Sequence, residues 1–219
     1  MLKFGTDGWR AIISDEFTYA NVRKVGKAIV LYLINHGFAK QPLIIGYDPR
    51  FLADKFAEEI ANIAVSAGLN VLITERDTPT PVVAWSVKDL PVRQAGKKAA
   101  GAVMLTASHN PAQYCGIKFI PDYAGPAGAE ITAELQENSN KVIELPQPEK
   151  QGTIERFEPQ EKYFKALESL IDTQIIKKTK FKIVFDPMYG AGRGYLDRIL
   201  KSYGYEVEVL HGWRDVLFG

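Results

Sequence analysis

Residues 106–111 combine a hydroxyl, an imidazole and an amide within one short segment, Thr106-Ala107-Ser108-His109-Asn110-Pro111. They follow directly on an apolar run, residues 102–105, that predicts a buried strand. Polar residues immediately before a proline favour a sharp, exposed turn. Ligands of open α/β sheets bind beyond the carboxyl ends of the strands. The segment is therefore either a plain turn or a functional loop, and its position favours the functional loop.

A cation follows this loop at a short distance, because Lys118 lies in the next apolar run, residues 116–119. A hydroxyl nucleophile needs a proton acceptor, and phosphate chemistry also needs cations nearby. His109 and Lys118 could supply both. An ordinary hydrolase is less well supported, because Ser108 is not framed by the G-x-S-x-G elbow and the side chains of adjacent Ser and His residues diverge.

The remaining candidates for a functional role are Asp48 with Arg50, Cys115 and residues 190–194. Asp48 and Arg50 follow a predicted strand and are interpreted as a structural pair, and the single cysteine, Cys115, as inert. Residues 190–194 are rich in glycine and also follow a predicted strand. Tyr195 occupies the sixth place, where a dinucleotide fingerprint requires glycine, so a nucleotide-binding α/β protein is the less favoured alternative.

The elements that would position these residues alternate between short apolar runs and helix-length segments. Strands are predicted at 43–47, 71–73 and 102–105, and helices at 21–35, at 53–67 and from Thr80 onward. This alternation predicts an α/β fold with a mixed, largely parallel sheet covered by helices. A truncated second domain of similar type is expected to follow.

We divide the chain into a first domain, residues 1–144, a connector and linking helix, residues 145–180, and the incomplete start of a second domain, residues 181–219. Residues 145–159 carry no periodicity and are interpreted as linker, and residues 160–171 as a helix. Residues 44–49 and 183–187 both end an apolar strand in Asp-Pro, either as ordinary strand–helix–strand units or by duplication. Since 39 residues rarely form a stable domain, we expect a longer parent chain.

Composition excludes several classes of function. The 219 residues include 27 basic and 26 acidic residues, a formal charge of +1, which argues against nucleic acid as a partner. The longest apolar run, residues 28–34, is too short to cross a bilayer, and no signal-peptide segment follows Met1. We expect a cytoplasmic protein without a membrane partner.

The motifs together resemble one family. Residues 106–111, followed by Tyr114, Gly116 and Lys118, look like the phosphoserine loop of the α-D-phosphohexomutases. Residues 4–10, Phe-Gly-Thr-Asp-Gly-Trp-Arg, are similar to that family's amino-terminal signature. Residues 46–50, Thr80-Pro81 and residues 186–192 match further elements in the same order. The resemblance implies four domains and reversible transfer of phosphate between the 1- and 6-hydroxyls of a hexose through a bisphosphorylated intermediate.

The resemblance also assigns roles. Ser108 would carry the phosphoryl group, Lys118 and His109 would act as catalytic groups, and Arg10, Thr106 and Asn110 would contact phosphate. Mg²⁺ would meet Ser108 through its phosphate, with carboxylate ligands beyond this chain, and a hexose 1,6-bisphosphate would be the activator. The remaining domains of the parent chain would be partners, so the chain alone is expected to be inactive. A non-catalytic sugar-phosphate-binding or interaction module is the alternative, and the choice among glucose, mannose and glucosamine phosphates stays open.

Overall fold

The structure is a computed structural model and describes residues 2–5, 8–89, 98–179 and 181–219. Within these residues eight strands and seven helices alternate along the chain. The strands are β1 Trp9–Ile12, β2 Leu43–Tyr47, β3 Val71–Thr74, β4 Gly101–Leu105, β5 Tyr114–Pro121, β6 Ile154–Phe157, β7 Lys182–Phe185 and β8 Glu206–Val209. The helices are α1 Tyr19–Asn35, α2 Ala53–Ser66, α3 Thr80–Asp89, α4 Ala129–Ser139, α5 Gln160–Glu168, α6 Thr173–Lys178 and α7 Leu196–Ser202.

Six of the strands form one mixed sheet in the order β1-β5-β4-β2-β3-β6. Its centre is parallel, because β2 pairs in parallel with both β3 and β4, and β6 pairs in parallel with β3. The hairpin partner β5 runs antiparallel to β4, and β1 runs antiparallel to β5. The predicted α/β fold with a mixed, largely parallel sheet covered by helices is confirmed.

Helices α1, α2 and α3 cover the two faces of this sheet because each presents an apolar side to it. The hydroxyl of Thr18 caps the amino terminus of α1 by accepting from the amide of Asn21, at 3.4 Å. The buried sides of α1 and α2 pack together in the larger core, and α3 packs through Val83 and Val87 on the opposite face. The alternating residues of β4 divide between these cores, with Val103 and Leu105 in the first and Ala102 and Met104 in the second.

The interpretation of residues 145–159 as linker without regular structure is wrong for β6. These four residues extend the large sheet by parallel pairing with β3, and the strand is approached through Gly152, where a Cβ would lie 1.9 Å from the carbonyl oxygen of Leu69. Only Phe157 of β6 is buried, so main-chain pairing rather than an apolar pattern makes the strand. The predicted helix 160–171 ends earlier, at Glu168, and a separate helix, α6, follows it.

Residues 181–219 form a smaller α/β unit, and the first unit is the part of the chain that contains the six-stranded sheet. Strands β7 and β8 pair in parallel as a separate two-stranded sheet, with α7 between them in sequence. The unit packs on the first through a small cluster in which Val82 of α3 meets Phe164, Tyr195 and Ile199. Among the described residues no helix is both long and apolar enough to cross a membrane.

Candidate functional site

The loop at residues 106–111 leaves the carboxyl end of β4, as the sequence predicts. Ser108 and His109 are exposed, whereas Ala107 between Thr106 and Ser108 is fully buried and anchors the turn. Ser108 has a backbone φ of 55°, in the left-handed region that non-glycine residues seldom adopt. Such a conformation persists only where surrounding contacts enforce it, and it is common at functional sites.

Arg50 supplies those enforcing contacts. Its side chain is 2% exposed, and its guanidinium donates to four main-chain carbonyls in and just beyond the loop. The donor–acceptor distances are 2.9 Å to Ser108, 2.7 Å to Asn110, 2.8 Å to Pro111 and 2.9 Å to Tyr114. A planar guanidinium with five donors is suited to this task, and an ammonium group could not replace it. These four hydrogen bonds thus fix the path of the backbone around Ser108.

Asp48 and Thr106 complete the support. The carboxylate of Asp48 accepts from Arg50 Nε at 3.2 Å and from the hydroxyl of Thr106 at 2.6 Å. Thr106 Oγ1 in turn accepts from the amide of Ser108 at 2.9 Å. Burial raises the pKa of Asp48, and the hydrogen bond from Thr106 and the charge of Arg50 oppose that rise. The predicted Asp48–Arg50 pair is present, and the hydroxyl of Thr106 is engaged in holding the loop.

Strand register places Arg10 and Lys118 on one face of the sheet. Arg10 lies opposite Gly116 in the β1–β5 pair, and Lys118 lies opposite Met104 in the β4–β5 pair. Residues directly opposite one another project to the same face, and so do alternate residues of one strand. Arg10 Nη1 donates to Asn110 Oδ1 at 2.9 Å, which joins the cation to the loop.

Gly116 makes room for this arrangement. A Cβ at this position would lie 2.5 Å from the carbonyl oxygen of Thr106, 2.8 Å from that of Trp9 and 3.0 Å from Cγ of Arg10. The absence of a side chain therefore lets Arg10 cross over β5 toward the loop. Gly116 belongs to the motif that follows the loop in the sequence, and the close packing gives it a physical reason.

One small cavity adjoins the loop, and a second lies near it. One of about 160 Å³ lies beside Ser108 and is lined by Asp48, Pro49, Thr80, Met104, Thr106, Ser108, Gly190, Ala191 and Phe218. A second of about 110 Å³ is bounded by Lys118 and by Thr80, which lies in the walls of both. The structure therefore brings Ser108 and Lys118 to either side of Thr80, at the first residue of α3.

His109 is the least engaged of the predicted catalytic residues. Its Nδ1 lies 3.4 Å from Ser108 Oγ, which is longer than the separation of about 2.6–3.2 Å typical of a nucleophile and its base. Asn110 is half-buried and its amide oxygen is bound to Arg10. Nothing in this geometry tests the roles assigned to the individual residues, which stay predictions.

The residues at hand do not form a carboxylate centre for Mg²⁺. Among the described residues no group of three or more His, Cys, Asp or Glu side chains could hold a metal ion. Asp48, the carboxylate that lines the cavity beside Ser108, is already bonded to Arg50 and Thr106. The described residues therefore supply no cluster of three or more such ligands beside Ser108.

The sequence indicated Arg50 as a partner of Asp48 but not as the support of the loop. The four carbonyl contacts of Arg50 could not be foreseen, since they join residues about 60 positions apart in the chain. Cys115 is fully buried, and its inertness stays a prediction.

The chain is similar to known proteins over nearly its whole length. The family model described as "Phosphoglucomutase/phosphomannomutase, alpha/beta/alpha domain I" matches residues 1–145, and that described as "alpha/beta/alpha domain II" matches residues 161–218. The phosphoglucosamine mutase of Thermoanaerobacter pseudethanolicus is 32% identical over 95% of this chain and 44% of its own length. The phosphoglucomutase of Staphylococcus saprophyticus is 29% identical over 94% of this chain and 38% of its own.

Solved structures of related proteins show the same similarity. A protein of Thermus thermophilus described as a phosphomannomutase superposes with a TM-score of 0.84 at 31% identity, over 99% of this chain and 47% of that one. A phosphoglucomutase/phosphomannomutase family protein of Burkholderia thailandensis shares the fold at 20% identity, with a TM-score of 0.79. The chain thus spans less than half the length of these relatives. Because two family domains are matched in order across the described fold, the chain belongs to the phosphoglucomutase/phosphomannomutase family.

Proposed function

We propose that this chain is the phosphoryl-carrying part of a phosphohexomutase that interconverts hexose 1-phosphate and hexose 6-phosphate. Ser108, as its phosphoester, gives its phosphoryl group to one sugar hydroxyl and regains one from the other position, so that a bisphosphorylated sugar is the intermediate. The observation that carries this proposal is the exposed hydroxyl of Ser108 beside a cavity, on a loop that Arg50 fixes at the carboxyl end of β4.

Each transfer breaks the bond between phosphorus and one oxygen and forms the bond to another. When the sugar hydroxyl attacks, its proton passes to a nearby base, and Ser108 Oγ departs with the electron pair and takes up a proton. Lys118 and His109 are the candidates for this proton traffic, and the choice between them stays open. Phosphoryl transfer depends on positioning and charge stabilisation, and a phosphoserine carries about −1.5 to −2 charges at neutral pH.

Arg10 and Lys118, on the same face of the sheet, are suited to stabilise that charge. The family resemblance also implies Mg²⁺, which when bound would neutralise phosphoryl oxygens, but the described residues provide no carboxylate set for it. We therefore assign the transfer steps of this chain only to Ser108 and its neighbouring side chains. Because the chain spans less than half of its relatives, we expect no turnover by the 219 residues alone.

The test uses the longest natural polypeptide that contains this chain. It is incubated with glucose 1,6-bisphosphate carrying labelled phosphate, and the phosphopeptide is mapped by mass spectrometry. We expect the label on Ser108 and none in Ser108→Ala, which keeps the wild-type melting temperature because the hydroxyl is exposed. A label on Thr106 or elsewhere, with Ser108 unmodified, contradicts the proposal. Binding of glucose 6-phosphate without any labelling would favour a non-catalytic sugar-phosphate-binding module.

A further inference from the structure

A strained segment of the smaller unit forms one wall of the cavity beside Ser108. Gly190 and Ala191 line that cavity together with Ser108 and Thr80. Immediately before them, Met188 and Tyr189 have φ values of 49° and 59°, two successive non-glycine residues in the left-handed region. Such a conformation costs free energy and is kept only when neighbouring contacts impose it.

Arg193 provides the contacts that reach across to the first unit. Its guanidinium donates to the carbonyl oxygens of Tyr189 and Gly190, the second at 2.6 Å, and pairs with the carboxylate of Asp77 at 2.6 Å. Both side chains of the pair are only 13% exposed. Asp77 follows β3 and is separated by two residues from Thr80, which lines the same cavity. Arg193 therefore connects the strained segment to the loop that leads into α3, whose first residue, Thr80, lines the same cavity.

A packed contact between the two units accompanies the ion pair. Tyr195 and Ile199, which follow Arg193 in the chain, pack against Val82 of α3, and the amide of Gln160 donates to the carbonyl oxygen of Gly194 at 2.7 Å. Partly buried ion pairs with several hydrogen bonds fix geometry better than exposed ones, since the guanidinium fork constrains direction as well as distance.

The cavity of about 160 Å³ exceeds several-fold the roughly 30 Å³ that one water occupies in the liquid, so a phosphoryl group on Ser108 has space there.

We propose that Arg193 is a positioning residue that holds residues 188–191 against the cavity, so that the smaller unit encloses the phosphoryl group carried by Ser108. Arg193 does not touch the phosphoryl group itself. Its pairing with Asp77 and its two carbonyl contacts keep the wall closed. This inference rests on the proposed function of Ser108 and adds to it a second wall and the residue that secures that wall.

The test measures how well the wall shields the phosphate. Phosphoserine is installed at position 108 of the 219-residue chain during translation, and its release by alkaline phosphatase is followed by mass spectrometry. We expect Arg193→Met to release phosphate at least about tenfold faster than the wild type, the change that follows from losing about 1.4 kcal/mol of local closing free energy. Arg193→Lys keeps the charge but not the fork, and should lie between the two.

Arg214→Met is the matched control. Arg214 also lies in the smaller unit, but it is exposed and does not line the cavity. We expect this variant to release phosphate at the wild-type rate. Equal rates for wild type and a folded Arg193→Met contradict the proposal, and so does equal acceleration by Arg214→Met.

A second variant covers loss of folding. If Arg193→Met does not fold, Asp77→Asn, which removes only the ionic partner, must accelerate release for the proposal to stand. Because the phosphoserine is installed directly, the outcome does not depend on whether glucose 1,6-bisphosphate labels Ser108. Failure of the shielding and failure of the proposed function are therefore distinguishable.

Discussion

The loop around Ser108 depends on Arg50, a buried cation that donates most of its hydrogen bonds to neutral main-chain carbonyls. Arg50 bonds to four of them and pairs with one acid, Asp48. Removing one partner of a buried ion pair leaves the other charged and unsatisfied. The same side chain therefore links the stability of the first unit to the geometry around Ser108.

We predict that Arg50→Met lowers the free energy of unfolding by about 3–5 kcal/mol, because Asp48 and the four carbonyls lose their partner. Urea denaturation followed by circular dichroism measures this loss. Arg50→Lys should recover only part of it, since an ammonium group cannot span the same carbonyls. Arg23→Met, which removes an exposed pair with Glu59, is the control and should cost no more than about 1 kcal/mol. Similar losses for the variants at 50 and 23 would show that Arg50 does not hold the loop.

Lys118 is tested in a longer polypeptide that interconverts hexose phosphates. There, Lys118→Met should remove about 2–4 kcal/mol of transition-state stabilisation, by analogy with losing a preorganised electrostatic donor. That corresponds to roughly 30- to 1,000-fold in kcat/KM, with little change in melting temperature.

Lys118→Arg separates the two roles of the residue. Arg retains its proton at working pH, so a proton-transfer role predicts no rescue, whereas full activity would leave Lys118 a purely electrostatic role. Wild-type activity in Lys118→Met would remove Lys118 from the site.

At the scale of elements, the close packing of β1, β5 and the loop depends on Gly116. We predict that Gly116→Ala destabilises the protein by about 1–3 kcal/mol or more, because the new methyl group would meet main-chain oxygens of Thr106 and Trp9 that cannot rotate away. Gly192→Ala is the matched control. Nothing lies within 4 Å of a Cβ there, so its melting temperature should stay close to that of the wild type. A Gly116→Ala protein as stable as this control would contradict the packing argument.

The elements that sequence predicts best are those with a repeated apolar face. Helix α2 buries Phe56, Ile60 and Ala64 at helical spacing, and every residue of β2 is buried, so both are recognisable from residue types alone. Strand β6 could not be found in this way. Three of its four residues are exposed, and its place at the sheet edge comes from hydrogen bonds to β3. Likewise, the motif around Ser108 predicts a loop at a strand end, whereas the support from Arg50 and the wall from residues 190–191 depend on contacts between distant residues.

The two units differ in how deeply their sheets are buried. The first unit has a core on each face of a six-stranded sheet. In the smaller unit, none of the eight residues of β7 and β8 is buried. Elements with few buried apolar contacts open at lower free energy than the core.

We predict that amides of β7 and β8 exchange with solvent faster than those of β2 and β4 by a factor of ten or more, about 1.4 kcal/mol in opening free energy. Hydrogen exchange read by mass spectrometry tests this on the intact chain. The region beyond residue 179 should show the same contrast as a whole. Equal protection in the two sheets would mean that the units open together and would contradict the prediction.

The single cysteine of the sequence provides a chemical probe of opening motions in the larger sheet. Cys115 is fully buried in β5, opposite Ala11 of β1 and three residues before Lys118, and burial together with the charge of Asp48 raises the pKa of its thiol. A thiol-specific reagent can therefore react with Cys115 only while an opening motion exposes the thiol. Under conditions where reclosing is fast, the labelling rate reports the population of the open form. The unmodified chain can thus report, through a single chemical reaction, how often the strand that carries Lys118 opens.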